Sequence, residues 1–436
     1  MKISSLSIFC LPLALVALPA ISWAQAQAGN PTADIQALRT QIEALKTDYQ
    51  ARIESLEKQL EEVQAQLLRL PEPETTAPVA AAASAQVSPG ALNPAISVVS
   101  NFLGRADNQK VFLDGTPTRI DNTFNLREAE IDMRVPVDPY ADAVLITSFE
   151  SEVPGQFTAS VEEGYVNIRK LPFMPSPLGL KFQIGRFRPA FGKFNTLHTH
   201  DLPQSTRSLL TEEFLGDEGF ISQGVSTDFF LPTPWSENES LNARLQVLTG
   251  GDVAISPDWN HRMAYLGNIR WFKTIAGTHN TEVGWSSYWH PGTSTTPIAR
   301  MHAIDFMYRW KPFRQGEWKS YLLGGELMFS DPVASPSQAG VVQRPKGMSV
   351  FTQWQFDRRK YGGVRFDYTT TIQDPALQRK SATPYFSYYF SEFLRLRLNF
   401  ERRWSEIPTE DHRNTFYAEL NWIFGSHPPE PFWVNK

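Results

Sequence analysis

Apolar and polar residues alternate along the segment FLRLRLNFERRW near the end of the chain. Between residues 394 and 401 the even-numbered positions hold leucine or phenylalanine, whereas the odd-numbered positions hold arginine, asparagine or glutamate. Successive side chains of a β-strand point to opposite faces, so this period of two predicts a strand with one apolar and one polar face. Residues 361–373 and 416–424 repeat the pattern.

About sixteen such segments follow residue 91, which predicts an all-β protein. They lie near residues 95–103, 123–136, 139–152, 158–170, 178–189, 217–231, 239–250, 261–273, 279–290, 300–312, 317–329, 347–358, 361–373, 381–391, 394–405 and 413–424. Short and long connections alternate between them, apart from the short one at residues 153–157. This is typical of a transmembrane antiparallel β-barrel of the bacterial outer membrane with both ends in the periplasm. A barrel of about sixteen strands leaves an aqueous lumen.

The polar faces of these strands are expected to line the lumen, because a charged side chain facing lipid at mid-bilayer costs roughly 2–4 kcal/mol. One set of charged residues lies on the second strand and is mostly acidic, and the other lies near the end of the chain and is mostly basic. Opposite walls of different sign would influence ion selectivity, unless the residues pair with each other and only solvate the lumen. The candidates are Glu128, Glu130, Asp132, Arg134, Arg365, Asp367, Arg395, Arg397 and Glu401.

The longest connection, at residues 189–216, separates the fifth and sixth strands. Loops of this length are usually functional or disordered. Its segment TRSLLTEEFLG spaces leucine and phenylalanine as a short helix does, and Thr211 is a candidate helix cap. The loop either folds into the barrel and narrows the pore or lies on the outer rim.

The same loop contains the motif HTHD, in which His198 and His200 are two residues apart and Asp201 follows. Two such imidazoles can reach one metal ion, and a carboxylate can add a third ligand. The motif therefore indicates a candidate metal site formed by His198, His200 and Asp201. Solvated loop histidines are the alternative, because this spacing without a distant fourth ligand often occurs by chance.

The chain begins with a different organisation. Residues 1–24 have the basic start, the apolar run and the small residues of a signal peptide, and they hold the single cysteine, Cys10. Apolar residues then recur at spacings of three and four over residues 33–70, which predicts a periplasmic coiled coil. Self-association would bury its apolar stripe, although the mixture of Ile, Leu, Val and Tyr does not decide between two and three strands, and packing on its own barrel is the alternative. A Pro/Ala linker at 71–90, the barrel at 91–425 and a tail at 426–436 complete the predicted domains.

Charge and composition exclude several function classes. The chain carries 41 Lys and Arg against 46 Asp and Glu, so no basic face for nucleic acid is expected. After the signal peptide no stretch approaches about 18 apolar residues, which excludes a helical membrane span. The sequence contains neither G-x-S-x-G nor H-E-x-x-H nor a glycine-rich phosphate loop. We therefore expect neither an enzyme nor a bound cofactor.

Two resemblances support the barrel. QIGRFRPAFGKFN, at residues 183–195, resembles the strand-and-loop signature of the phosphate-selective porin family, with one alanine between the proline and the phenylalanine. That family implies a trimeric channel of sixteen strands. REAEIDMRVPVDPYADA, VEEGYVNI, LHTHDLP and FLGDEGF resemble proteobacterial outer-membrane proteins labelled zinc-regulated TonB-dependent receptors, mainly over residues 93–232. Such receptors carry a plug domain before a larger barrel, whereas a coiled coil and a linker occupy that place here.

The sequence predicts a porin-like channel in the outer membrane for passive diffusion of ions or small hydrophilic solutes. Its expected partners are outer-membrane lipid, the transported solutes and two further copies of the chain, through both coiled coil and barrel. One alternative is an outer-membrane protein that binds or takes up a metal such as zinc through the long loop. The other is an envelope tether in which the coiled coil carries the function.

Overall fold

The computed structural model describes residues 94–426 apart from short segments at 114–115, 172, 174–175, 251–252, 256–260, 293–297, 314–317 and 339. The predicted signal peptide, coiled coil and linker lie outside the described residues, as does the tail after residue 426. Among the residues that the structure describes, no helix is both long enough and apolar enough to span a membrane.

Sixteen antiparallel strands form a closed barrel, which confirms the predicted barrel of about sixteen strands. The strands are β1 (Ala95–Asp107), β2 (Thr123–Pro136), β3 (Ala141–Glu150), β4 (Thr158–Ile168), β5 (Lys181–Phe187), β6 (Ser222–Leu231), β7 (Glu239–Thr249), β8 (Met263–Ile275), β9 (His279–His290), β10 (Ala299–Trp310), β11 (Ser320–Ser330), β14 (Lys346–Asp357), β15 (Lys360–Thr370), β16 (Gln378–Ser391), β17 (Leu394–Ser405) and β18 (Asn414–Gly425). A small hairpin of β12 (Val333–Ala334) and β13 (Val342–Gln343) lies in the connection between β11 and β14.

Pairing of β1 with β18 closes the barrel, for example at Val98 and Phe424. Closure leaves no strand edge unpaired, as is required of a sheet within a membrane. The predicted bounds of 123–136, 279–290 and 394–405 match β2, β9 and β17. The largest difference at the start of a strand is at β6, because residues 217–221 belong to the preceding loop.

Burial alternates along the strands as the polar pattern requires. In β17, Arg395, Arg397 and Asn399 are buried inside the barrel, whereas Phe400 is exposed on the outer surface. Large apolar side chains are exposed along the outside of several other strands, including Ile269, Trp285, Ile304, Phe366 and Phe416. The outer surface is therefore apolar, and the interior holds the charged side chains.

The connection between β5 and β6, residues 188–221, is called the inner loop below. It folds into the barrel, which settles the choice between the interior and the rim that the sequence leaves open. Its helix α1 (Leu209–Leu215) begins after Ser208, whose side chain accepts a hydrogen bond from the backbone N–H of Thr211. Ser208 is thus the cap, and the prediction of Thr211 in that role is wrong.

An apolar cluster holds α1 inside the barrel. Leu210 and Phe214 of the helix are fully buried against interior side chains of the wall, such as Met301 and Met328. Burial of an apolar side chain of this size away from water contributes about 1.5–3 kcal/mol, so these two side chains stabilise the docked helix by several kcal/mol. The inner loop is consequently part of the barrel's core.

Candidate functional site: the inner loop and the two cavities

Asn195 joins the two ends of the inner loop. Its side-chain amide donates hydrogen bonds to the carbonyls of Pro189 (2.8 Å) and Phe220 (2.9 Å). Its carbonyl oxygen accepts a hydrogen bond of 2.7 Å from the backbone N–H of Phe220. One buried side chain thus satisfies three backbone groups at the base of the loop, which fixes the point where the chain leaves the wall.

Four arginines of the barrel wall hold the middle of the loop by its backbone. They donate hydrogen bonds to carbonyls in residues 200–206, from Arg127 to Ser205 (2.6 Å), Arg365 to Thr206 (2.6 Å), Arg397 to Gln204 (2.7 Å) and Leu202, and Arg395 to His200. Three of them also contact wall carboxylates, since Arg365 pairs with Asp367 and both Arg397 and Arg127 pair with Glu419. Charged donors make strong hydrogen bonds, so this wall fastens the loop.

Carboxylates on β2 and β4 surround the two histidines. Glu128 and Glu130 are two residues apart on β2 and share the interior face. Nδ1 of His198 lies 3.1 Å from Oε2 of Glu130, and Nε2 of the same ring lies 2.7 Å from Oε1 of Glu163. Nδ1 of His200 lies 3.8 Å from the same Glu130 oxygen. Both imidazoles therefore face one carboxylate oxygen.

Two β-bulges turn additional charged side chains inward. Register shifts in β2 at Arg127 and in β4 at Glu162 leave each residue without a partner in the ladder. A bulge breaks the alternation, so Glu162 and its neighbour Glu163 are both buried in the interior. Strict alternation would place them on opposite faces, and the sequence analysis missed both; the adjacent glutamates in VEEGYVNI were the available signal.

Electrostatics favour the charged form of both loop histidines. Burial alone would lower the pKa of each imidazole, because a charged group loses its hydration. The carboxylate of Glu130 nevertheless raises the pKa of His198 well above its usual value. Asp201 and Glu130 similarly outweigh burial and raise the pKa of His200 to about 9. In the absence of another cation, the charged imidazoles hold the loop against the acidic wall.

The inner loop lies between two cavities. One, of about 830 Å³, is lined by residues near the short connections, such as Lys181 and Asp228, and by residues 193–198 of the loop. The other, of about 710 Å³, is lined by residues of the opposite rim and by Thr206, Glu212 and Glu213 of the loop. These positions put the loop across the middle of the barrel.

The structure places all nine predicted pore-lining residues on interior faces of the barrel. Eight are buried, mostly by contact with the inner loop or with one another: Glu128, Glu130, Asp132, Arg365, Asp367, Arg395, Arg397 and Glu401. The side chain of Arg134 is 52% exposed, pairs with Asp132 and lines the larger cavity. Of the predicted metal ligands, Asp201 lies on the far side of the His200 ring from Glu130, with Oδ1 3.6 Å from Nε2.

Comparison with known proteins supports the fold. No family model matches the chain. An uncharacterized protein of Aquifex aeolicus (strain VF5) is 25% identical over 350 residues, which cover 71% of this chain and 70% of that protein. The high-pH structure of Pseudomonas putida OprB aligns with a TM-score of 0.50 and 9% identity over 76% of this chain and 94% of that one.

The outer membrane channel DcaP of Acinetobacter baumannii aligns with a TM-score of 0.47 and 8% identity, over 76% of this chain and 96% of that one. The likeness to OprB shows a porin-like barrel fold. Neither the phosphate-selective porins nor the zinc-regulated receptors are shown as the family of this chain, so those two resemblances remain predictions.

Proposed function

We propose that this protein is an outer-membrane channel for passive diffusion of ions or small hydrophilic solutes, with the inner loop as its constriction. The observation that carries the proposal is a closed barrel of sixteen strands whose polar interior holds a cavity on each side of that loop. The exposed apolar residues on the outside suit contact with lipid. The short connections and both ends of the barrel would then face the periplasm.

Conductance of the purified protein in planar lipid bilayers tests the proposal. A variant with residues 197–215 replaced by a short Gly/Ser linker should conduct several-fold more than the wild type, because the constriction is removed. Replacement by serine of the exposed strand residues of the β12–β13 hairpin, Val333, Ala334, Val342 and Gln343, is the matched control and should leave conductance unchanged. Absence of conducting states in all three proteins would contradict the channel function.

Paired charges on the walls bear on ion selectivity. Three of the arginines that hold the loop, Arg127, Arg365 and Arg397, are paired with Asp367 or Glu419, so these described residues do not form the dense group of free cations that phosphate selectivity would need. We therefore expect weak selectivity between K⁺ and Cl⁻. Reversal potentials measured in a salt gradient give the ratio directly, and a strong preference for anions would favour the phosphate-selective alternative.

The predicted coiled coil at residues 33–70 supports assembly as a trimer in this proposal. Deletion of residues 33–70 should reduce the trimer, as measured by native mass spectrometry in detergent, and should leave single-channel conductance intact. If the deletion leaves conductance intact but abolishes an envelope-integrity phenotype in cells, the tether function is favoured instead.

A further inference from the structure

The two imidazoles of the inner loop and one wall carboxylate converge on a single point. Glu130, His198 and His200 each offer a ligand atom, and these atoms all lie within 4.8 Å of one another. All three side chains are buried. The rings of His198 and His200 are stacked, 5.4 Å apart with 25° between their planes, and both turn Nδ1 towards Oε2 of Glu130.

A second set of three residues shares Glu130 with the first set and consists of carboxylates alone. Glu128, Glu130 and Glu162 also bring one oxygen each within 4.8 Å of one another. Oε1 of Glu162 is buried and has no hydrogen-bond partner among the described residues. Oε2 of Glu162 lies 3.2 Å from Nδ1 of His198. Glu162 thus supplies a further oxygen beside the convergence point.

Each histidine is oriented by a carboxylate on its outer nitrogen. Nε2 of His198 faces Glu163 at 2.7 Å, and Nε2 of His200 faces Asp201 at 3.6 Å. Metal-bound histidines usually have such a partner on the nitrogen that does not bind the metal, because it fixes the ring and makes the ligating nitrogen more basic. This arrangement gives Asp201 an orienting role in place of the ligand role that the sequence suggests.

Fixed charge at this point favours a cation. Four carboxylates converge there from β2 and β4, and the guanidinium of Arg188 contacts two of them, at 2.7 Å from Glu162 and 3.9 Å from Glu163. His198, Glu163 and Asp201 also line the larger cavity, which provides an entry path for a small ion.

We propose that His198 and His200 through Nδ1 and Glu130 through Oε2 form a binding site for one divalent transition-metal ion, with a carboxylate oxygen of Glu162 or Glu128 as a further ligand. Two imidazole nitrogens and carboxylate oxygens suit Zn²⁺ and related ions better than Mg²⁺ or Ca²⁺, which prefer oxygen ligands alone. Three of the five candidate ligands, Glu128, Glu130 and Glu162, lie on the barrel wall, so a bound ion would also join the inner loop to that wall.

Isothermal titration of the untagged, full-length protein in detergent with ZnCl₂ tests the site. We expect one Zn²⁺ per chain and no comparable binding of Mg²⁺. Glu130→Gln keeps the shape of the side chain and should abolish measurable binding, and Asp201→Asn should weaken it about 10- to 100-fold as an orienting residue. His412→Ala is the matched control, because that histidine lies in an exposed loop beside Asp411 and should not affect binding.

X-ray absorption at the zinc edge of the loaded protein gives a second, independent measurement and should show two imidazole ligands per ion. Circular dichroism and thermal unfolding establish that each variant is folded. The proposal is overturned if Glu130→Gln binds Zn²⁺ as the wild type does, if His412→Ala alone reduces binding, or if the absorption spectrum shows no imidazole. Because these assays measure binding in detergent, their outcome is independent of whether the barrel conducts.

Discussion

The guanidinium of Arg397 on β17 donates a hydrogen bond of 2.7 Å to the backbone carbonyl of Gln204 in the inner loop. The same guanidinium donates through Nε to Oε1 of Glu419 on β18, also at 2.7 Å, and both charged side chains are fully excluded from solvent. A buried ion pair of the wall therefore carries part of the loop. Replacement of Arg397 should therefore affect both the ion pair with Glu419 and the attachment of the inner loop.

Arg397→Met should loosen the inner loop and destabilise the barrel. Glu419 would lose its main partner and keep the more distant contact with Arg127, at 3.2 Å, so we expect the free energy of unfolding to fall by about 3 kcal/mol. Urea unfolding in lipid vesicles measures the loss, and bilayer recordings should show higher conductance. Arg402→Met on the same strand is the control, since Arg402 donates a hydrogen bond to Asn414 and lies over the ring of Trp404, and both of these partners lie outside the inner loop. Equal behaviour of the two variants would contradict a role for Arg397 in holding the loop.

Gly192 should not tolerate alanine. Its φ is +68°, and an added Cβ would lie 2.5 Å from Oε1 of Glu326, the oxygen that accepts hydrogen bonds from the backbone N–H groups of Lys193 and Phe194. Gly192→Ala should cost about 1–2 kcal/mol for the backbone alone and about 1–3 kcal/mol more for the displaced carboxylate. Gly155→Ala is the matched control, because Gly155 has a φ of +82° and open space around it. If Gly192→Ala and Gly155→Ala lowered the free energy of unfolding in urea by the same amount, the contact with Glu326 would not contribute and the backbone conformation alone would explain the loss.

Asn195→Ala should open the base of the inner loop. It leaves the carbonyl and the N–H of Phe220 without the partner that Asn195 provides in a buried site, which costs about 1–3 kcal/mol, whereas the carbonyl of Pro189 keeps its hydrogen bond from the N–H of Phe191. Hydrogen exchange followed by mass spectrometry should show faster exchange across residues 188–221, with the strands unchanged. Asn238→Ala, at an exposed turn, should leave the exchange pattern as in the wild type. If hydrogen exchange in the inner loop of Asn195→Ala matched that of the wild type, Asn195 would not be needed to hold the base of the loop.

Glu212 should make the docking of the inner loop depend on pH. Burial raises the pKa of its carboxyl to about 7, helped by Glu401 and Asp217 and opposed by Arg403 and Arg379. The folded protein thus favours the protonated form, and stability is lost as the pH rises from the unfolded value of 4.5 through 7.

The expected loss between pH 5 and pH 8 is at most about 3 kcal/mol, at 1.36 kcal/mol for each unit of pKa difference. Glu212→Gln should reduce the pH dependence of unfolding measured in urea, and Glu237→Gln at an exposed turn should not. A wild-type profile that matches Glu212→Gln at every pH would contradict the buried carboxyl as its cause.

The sequence by itself determined the barrel, and most strand bounds followed from it. The period of two in β17 is a local property, because the pleat turns each successive side chain to the other face whatever the strand pairs with. The number of such segments, with short and long connections in alternation, then led to a closed sheet. The HTHD motif also marked the loop that carries the candidate metal site.

Only the tertiary structure decided what the interior residues contact. Arg127 and Glu162 turn inward because bulges depend on the register with neighbouring strands, which alternation in one strand does not reveal. Glu130 meets His198 and His200 only because the inner loop folds back across the barrel, held by contacts between residues nearly 200 positions apart, such as Arg397 and Gln204. Such contacts depend on the folded path of the whole chain, and no local pattern of residues encodes them.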